Sequence, residues 1–114
     1  MSFSAEELSR IDSLVGELCR RITVAELRDQ LEFVMEVDAH AVTIQEVRPA
    51  FQDPSRKTKH GVARFRYFRS RDEWKLYWMR QDLKWHIYEP AEDIYGLDEL
   101  VAVVEADDHC CFFG

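Results

Sequence analysis

Apolar residues in the first part of the chain recur every three or four positions. Leu8, Ile11, Val15, Leu18 and Ile22 fall on one stripe, with Arg10, Asp12, Glu17 and Arg20 elsewhere around the wheel, the pattern of a helix with one buried side. Ser4 followed by Glu7 supplies a capping box: the serine oxygen accepts an orphan backbone N–H and the glutamate reaches back. The spacing predicts a helix over 4–22, and "TVAELRDQ" adds a short turn. From Leu31 the period becomes two, Leu31, Phe33, Met35 and Val37 alternating with Glu32, Val34, Glu36 and Asp38, as a half-buried strand requires.

With "DAHA" as the turn, Val37 pairs with Val42 and Met35 with Ile44, so one side of the hairpin is apolar. The next pair, Phe33 with Glu46, puts a carboxylate where an apolar residue is expected. Either a bulge turns Glu46 out or it is a buried acid with Arg48 as its partner. Pro49 ends the strand, and "AFQDPSRKTKHG" reads as a polar loop of about a dozen residues. Two more hairpins follow. A tight "SRDE" turn sets Arg69 opposite Trp74, Tyr67 opposite Leu76 and Phe65 opposite Trp78; a turn around "RQDL" sets Trp78 opposite Trp85, Leu76 opposite Ile87 and Tyr77 opposite His86. Pro90 ends the last strand. "GLDELVAVVEADDH" reads as a closing helix with Leu97, Leu100, Val101 and Val104 inward, and "CCFFG" offers two phenylalanines for docking. The fold class is α+β: a single domain over 1–114, with an N-terminal helix, a five-stranded antiparallel meander and a C-terminal helix, both helices on one face of the sheet.

That register places all three tryptophans, with Phe65, Tyr67, Leu76 and Ile87, on the helix side as core. The other side carries Arg64, Arg66, Phe68, Lys75, Tyr77, Met79, Lys84, His86 and Tyr88. Cations interleaved with aromatics on an uncovered sheet match the way proteins stack bases and hold phosphates, and Arg66 opposite Tyr77 is in cation–π reach. The leading expectation is therefore a non-enzymatic binding domain that meets an anionic partner, nucleic acid or a phosphate-bearing ligand, through Arg48, Arg64, Arg66, Lys75, Tyr77, Lys84, His86 and Tyr88, with the basic segment from Arg56 to His60. The alternative from another class is a small enzyme with a pocket formed by His86, Tyr77, Tyr88 and Glu46, which requires Glu46 and His86 to converge. A third is a scaffold that self-associates, as a homodimer, through an edge strand or the tail.

Composition narrows these expectations. The net charge of −7 opposes loose attraction to polyanions, yet "RKTKHGVARFRYFRSR" holds seven Lys or Arg residues and no acid. The three cysteines, Cys19, Cys110 and Cys111, are odd in number and read as reduced thiols, Cys19 buried and inert. The opening "MSFSAEELSR" has no basic cap followed by an apolar run, and no apolar stretch approaches a membrane span; a cytoplasmic protein without membrane attachment is expected. His109, Cys110 and Cys111 lack a second ligand pair, so no metal is expected. With only four glycines there is no phosphate-cradling loop, and no cofactor is expected.

The runs "RDQL", "VTIQEVRPAFQDP", "VARFRY" and "LYWMRQDLKWHIYEP", with a tail ending in "FFG", resemble a small bacterial family known only as a domain of unknown function, the three-thousand-and-twenty-fourth of its series. The motif "YWxxxDLKWHxYxP" places Tyr77, Trp78, Asp82, Leu83, Lys84, Trp85, His86, Tyr88 and Pro90 on the family pattern; upstream, Glu46, Arg48, Pro49, Asp53 and Pro54 match. The chain departs from the pattern at Phe51 and in "FFG", where tryptophan is expected, and in "HCC". The resemblance implies a single-domain bacterial protein and carries no activity.

Overall fold

The capping box forms at the start of the chain, of which a computed structural model describes residues 2–113. Glu7 N donates to Ser4 Oγ (3.1 Å) and Ser4 N to Glu7 Oε1 (2.8 Å), opening α1 (Ala5–Ile11). The helix then widens into a π turn at Asp12–Gly16 before continuing as α2 (Glu17–Ile22). Arg20 closes over the widened turn, Nη1 reaching Asp12 Oδ1 and Nη2 the Asp12 carbonyl, both at 3.3 Å. Ile11, Val15 and Leu18 keep their inward side and are buried. Thr23, just past α2, donates through Oγ1 to the Cys19 carbonyl (2.8 Å) and accepts the Phe33 N–H (3.1 Å), tying the helix end to the first strand.

Five antiparallel strands follow in spatial order β1-β2-β3-β4-β5: β1 (Glu32–Val37), β2 (Ala41–Pro49), β3 (Lys57–Phe68), β4 (Glu73–Met79) and β5 (Trp85–Ile87). Then comes α3 (Leu97–Ala106), which buries Leu97, Leu100, Val101 and Val104. The architecture is the expected α+β meander. One core joins Ile11, Val15 and Leu18 to Val42, Ile44, Phe65 and Leu76 of the sheet and to Leu100 and Val104 of α3. At the tail, Phe112 docks into this core, while Phe113 meets Phe33 edge-on with centroids 5.5 Å apart.

The first hairpin has the expected register, Val37↔Val42, Met35↔Ile44 and Phe33↔Glu46. Glu46 stays in register opposite both Phe33 and His60 and takes the Arg48 Nε–H; the acid has the expected partner but is half-buried, not buried. Three features differ from the sequence reading. The β2–β3 connection is shorter than a dozen residues, because "KTKH" pairs with Val47–Pro49 and Glu46 and so belongs to β3. Between β3 and β4 the pairs are Tyr67↔Trp74, Phe65↔Leu76, Arg66↔Lys75 and Arg64↔Tyr77, slid by two residues from the expected ones. A slide of two leaves every side chain on its expected face.

Between β4 and β5 the slide is a single residue: Met79↔Trp85, Trp78↔His86 and Tyr77↔Ile87. A shift of one residue inverts a strand's faces, so Trp85 and Ile87 point away from the helices, and His86 and Tyr88 point toward them. This corrects the expected inward Trp85 and Ile87 and the expected outward His86 and Tyr88. The cause is the loop. Arg80 N donates to the Lys84 carbonyl (3.2 Å) around Gln81, Asp82 and Leu83, Leu83 N donates to the Arg80 carbonyl (2.9 Å), and Leu83 takes φ 62°. A three-residue hairpin loop ending in a left-handed residue has this form. Asp82 secures it by accepting the Lys84 N–H (3.0 Å).

Candidate functional site

The sheet surface away from the helices is organised by one extra residue. Ile44 pairs with Ala63 but Gln45 pairs with Gly61, leaving Val62 unpaired as a β-bulge. A bulge of one residue reverses the alternation of side chains along its strand. Odd residues before it and even residues after it therefore share a face, and Lys57, Lys59, Gly61, Arg64, Arg66 and Phe68 form one row along β3. At about 3.4 Å per residue the row runs roughly 35–40 Å.

Aromatic rings border the row on the β4–β5 side. Tyr77 sits opposite Arg64, and the Trp85 indole lies against Gly61, where an added Cβ would come 2.6 Å from Trp85 Cζ2. Lys75 is opposite Arg66, its Nζ donating to the Glu92 carbonyl (2.9 Å) and lying 4.4 Å from the Tyr95 ring centroid. The expected contact of Arg66 with Tyr77 is replaced by one with Phe68, whose ring lies between Arg66 and Arg71 at 5.0 and 4.8 Å. On the β1 side the row meets carboxylates. Lys59 Nζ pairs with Glu36 (2.6 Å) and Arg64 Nη2 with Asp38 (3.0 Å), while Arg64 Nη1 donates to Thr43 Oγ1 (3.0 Å). Burial opposes ionisation of Asp38, but the amides of His40 and Ala41 and the Arg64 guanidinium hold its carboxyl below the usual range. A cleft of about 240 Å³ opens here between Glu36, Gln45, Arg64 and Trp85, and the buried Gln45 Oε1 has no hydrogen-bond partner among the described residues.

Of the sequence candidates, Arg64, Arg66, Lys75 and Tyr77 lie on this open face. Arg48 lies on the helix side of β2, bound to Glu46, and Lys84 stands in the β4–β5 loop. The sequence reading missed Trp85 as a member of the face, and it put Lys57 and Lys59, part of the expected basic segment, in a loop and not on β3. An isolated glycine within a strand pattern, here Gly61, is the available signal for a bulge or a close approach.

His86 and Tyr88 contribute to a different place, a cleft of about 390 Å³ on the helix side at the β5 edge, lined also by Trp78, Arg80, Pro90 and Cys111. His86 Nε2 lies 2.8 Å from Asp82 Oδ2; this hydrogen bond first, and the Lys84 amide second, lower the Asp82 pKa. The Arg80 guanidinium stands 5.6 Å from the Trp78 ring centroid. Burial first, then Cys111, Asp107 and Asp108, raise the Tyr88 pKa, and burial raises that of Cys111, so both remain protonated at neutral pH. Cys19, in the core, is pushed up to about 11 by burial. Glu46 and Tyr77 do not join His86 here. Tyr77 is on the other face, and Glu46 is on β2, three strand spacings of about 4.8 Å, or roughly 14 Å, from β5. The four-residue catalytic constellation is not assembled. Among the described residues no group of three or more His, Cys, Asp and Glu side chains is placed to hold a metal, and no helix is long and apolar enough to cross a membrane.

The chain belongs to the family described as "Domain of unknown function (DUF3024)", whose model matches residues 3–114. No curated protein and no solved structure matches it.

Proposed function

We propose that the open face of the sheet binds single-stranded nucleic acid, phosphates lying along the β3 cations and bases stacking on Trp85 and Tyr77. The observation that carries this reading is the bulge at Val62, which gathers Lys57, Lys59, Arg64 and Arg66 onto one face. Without it the first two would point the other way. Arg66 has no carboxylate partner among the described residues, and the pairs of Lys59 and Arg64 are partly solvent-exposed. Such pairs contribute about 0–1 kcal/mol each, so exchange of a carboxylate for a phosphate costs little. Stacking is worth about 1–3 kcal/mol per base and tolerates any sequence, which suits a face without base-reading geometry. Three free thiols fit a reducing cytoplasmic setting for such a partner. Every cation engaged adds a salt-dependent increment, which offsets the repulsion from the −7 net charge only at low ionic strength.

The test is fluorescence anisotropy of a labelled oligothymidine titrated with the protein across a salt series. For four phosphates engaged, log K is expected to fall against log salt with a slope near −3, at about −0.7 per phosphate. Arg66→Ala should make the slope shallower by roughly one phosphate's share, and Trp85→Ala should weaken binding about 5- to 150-fold, as loss of one stacked base does. Flat anisotropy at low salt, or binding indifferent to both substitutions, overturns the reading.

A further inference from the structure

The cleft at the β5 edge lies on the sheet face opposite to the basic row, and its walls have their own chemistry. Trp78, Tyr88, Pro90 and Ile87 give its lining an apolar share. Arg80 is exposed, stands over the Trp78 ring, and has no carboxylate partner among the described residues. His86 is held by Asp82 through Nε2, which leaves its second ring nitrogen unengaged. Tyr88 is 3% exposed, and its hydroxyl makes no hydrogen bond to the described residues. The one acid among the lining residues is Glu89, against Arg80, His86 and His109.

We infer that this cleft binds a small aromatic carboxylate, its ring against the side chains of Trp78 and Pro90 and its carboxylate on the Arg80 guanidinium with His86 beside it. The volume of about 390 Å³ falls within the range of small-molecule sites, which are mostly apolar with a few convergent polar groups. A guanidinium presents its donors in a plane that matches a carboxylate two-to-two. Arg80 is already aligned by the indole beneath it, so less side-chain freedom is lost on binding. With Nε2–H given to Asp82, which fixes the ring's orientation, Nδ1 becomes a second donor in the imidazolium form, the form that a bound carboxylate favours.

Benzoate and benzamide test this, because they share a shape and differ in charge. Titrated separately into the isotope-labelled protein and followed by NMR, benzoate should shift the Trp78 indole and His86 ring resonances saturably, with an affinity of about millimolar. Benzamide should bind at least about tenfold more weakly, and Arg80→Gln should erase that preference while leaving oligothymidine binding to the open face unchanged. Equal shifts with both probes, no saturable shift with benzoate, or a preference that survives Arg80→Gln would overturn the inference. Because the cleft and the basic row are scored by different probes, failure of one leaves the other standing.

Discussion

The two faces of the sheet are built on different principles. Behind the helices Val42, Ile44 and Phe65 have no solvent exposure and are held by shape alone. On the open side, Thr43, Gln45, Arg64, Glu36 and Lys59 hold one another by hydrogen bonds and ion pairs. Removing an atom from the first leaves a void that its close-packed neighbours cannot fill; removing one from the second leaves partners that water can solvate again. Stability is therefore concentrated on one side, and the other side is free to carry recognition.

The largest effect should come from the packed face. Phe65→Ala is expected to lower unfolding free energy by about 3–5 kcal/mol in urea titrations; a loss below about 1 kcal/mol would show that the two faces do not differ as described. Next is the close approach of Trp85 to Gly61 on the open face. Gly61→Val, striking the Trp85 ring, should cost about 1–3 kcal/mol and move indole fluorescence to longer wavelength as Trp85 is pushed into water. Unchanged emission would mean that the indole does not lie on Gly61.

Leu83→Gly should go the other way. Leu83 is 68% exposed and sits at φ 62°, a conformation that costs an L-residue roughly 1–2 kcal/mol. Part of the relief is lost to greater freedom of the unfolded chain, so a gain of about 0.5–1 kcal/mol in thermal or urea unfolding is expected. A loss would indicate an even-membered loop and so the opposite orientation of β5. The smallest effect belongs to Glu7, whose carboxyl is lowered from 4.5 to about 2 first by the Arg69 hydrogen bond and then by Ser4. A depressed carboxyl stabilises the fold above its unfolded-state pKa and loses that contribution as pH falls through the folded-state value. The stability difference between the native chain and Glu7→Gln should therefore be constant above about pH 5 and vanish toward pH 2. A gap that persists at the acid end would assign the effect to the capping geometry, not to charge.

Much of this arrangement is legible in the residues. The capping box, the stripe from Ile11 to Leu18, the first hairpin's register and the inward side of α3 follow from spacing, because each is fixed by burial of one face. Two features escaped because they rest on a single residue with an unremarkable identity. The left-handed end of the β4–β5 loop is Leu83 where glycine is the usual marker, so an odd loop looked like an even one and β5 was turned over. The bulge residue, Val62, is apolar beside another apolar residue, Ala63, and nothing in that pair tells which is extra. The same two residues decide the candidate site, moving Trp85 onto the open face, bringing Lys57 and Lys59 beside Arg64, and sending His86 to the cleft behind.

The bond from the Phe33 amide to Thr23 has a wider implication. β1 is an outer strand, and outer strands offer unpaired amides on which another chain can template itself into a fibril. By capping one such amide with a side chain from the end of α2, the chain withdraws from this rim one of the donors on which a copy could pair.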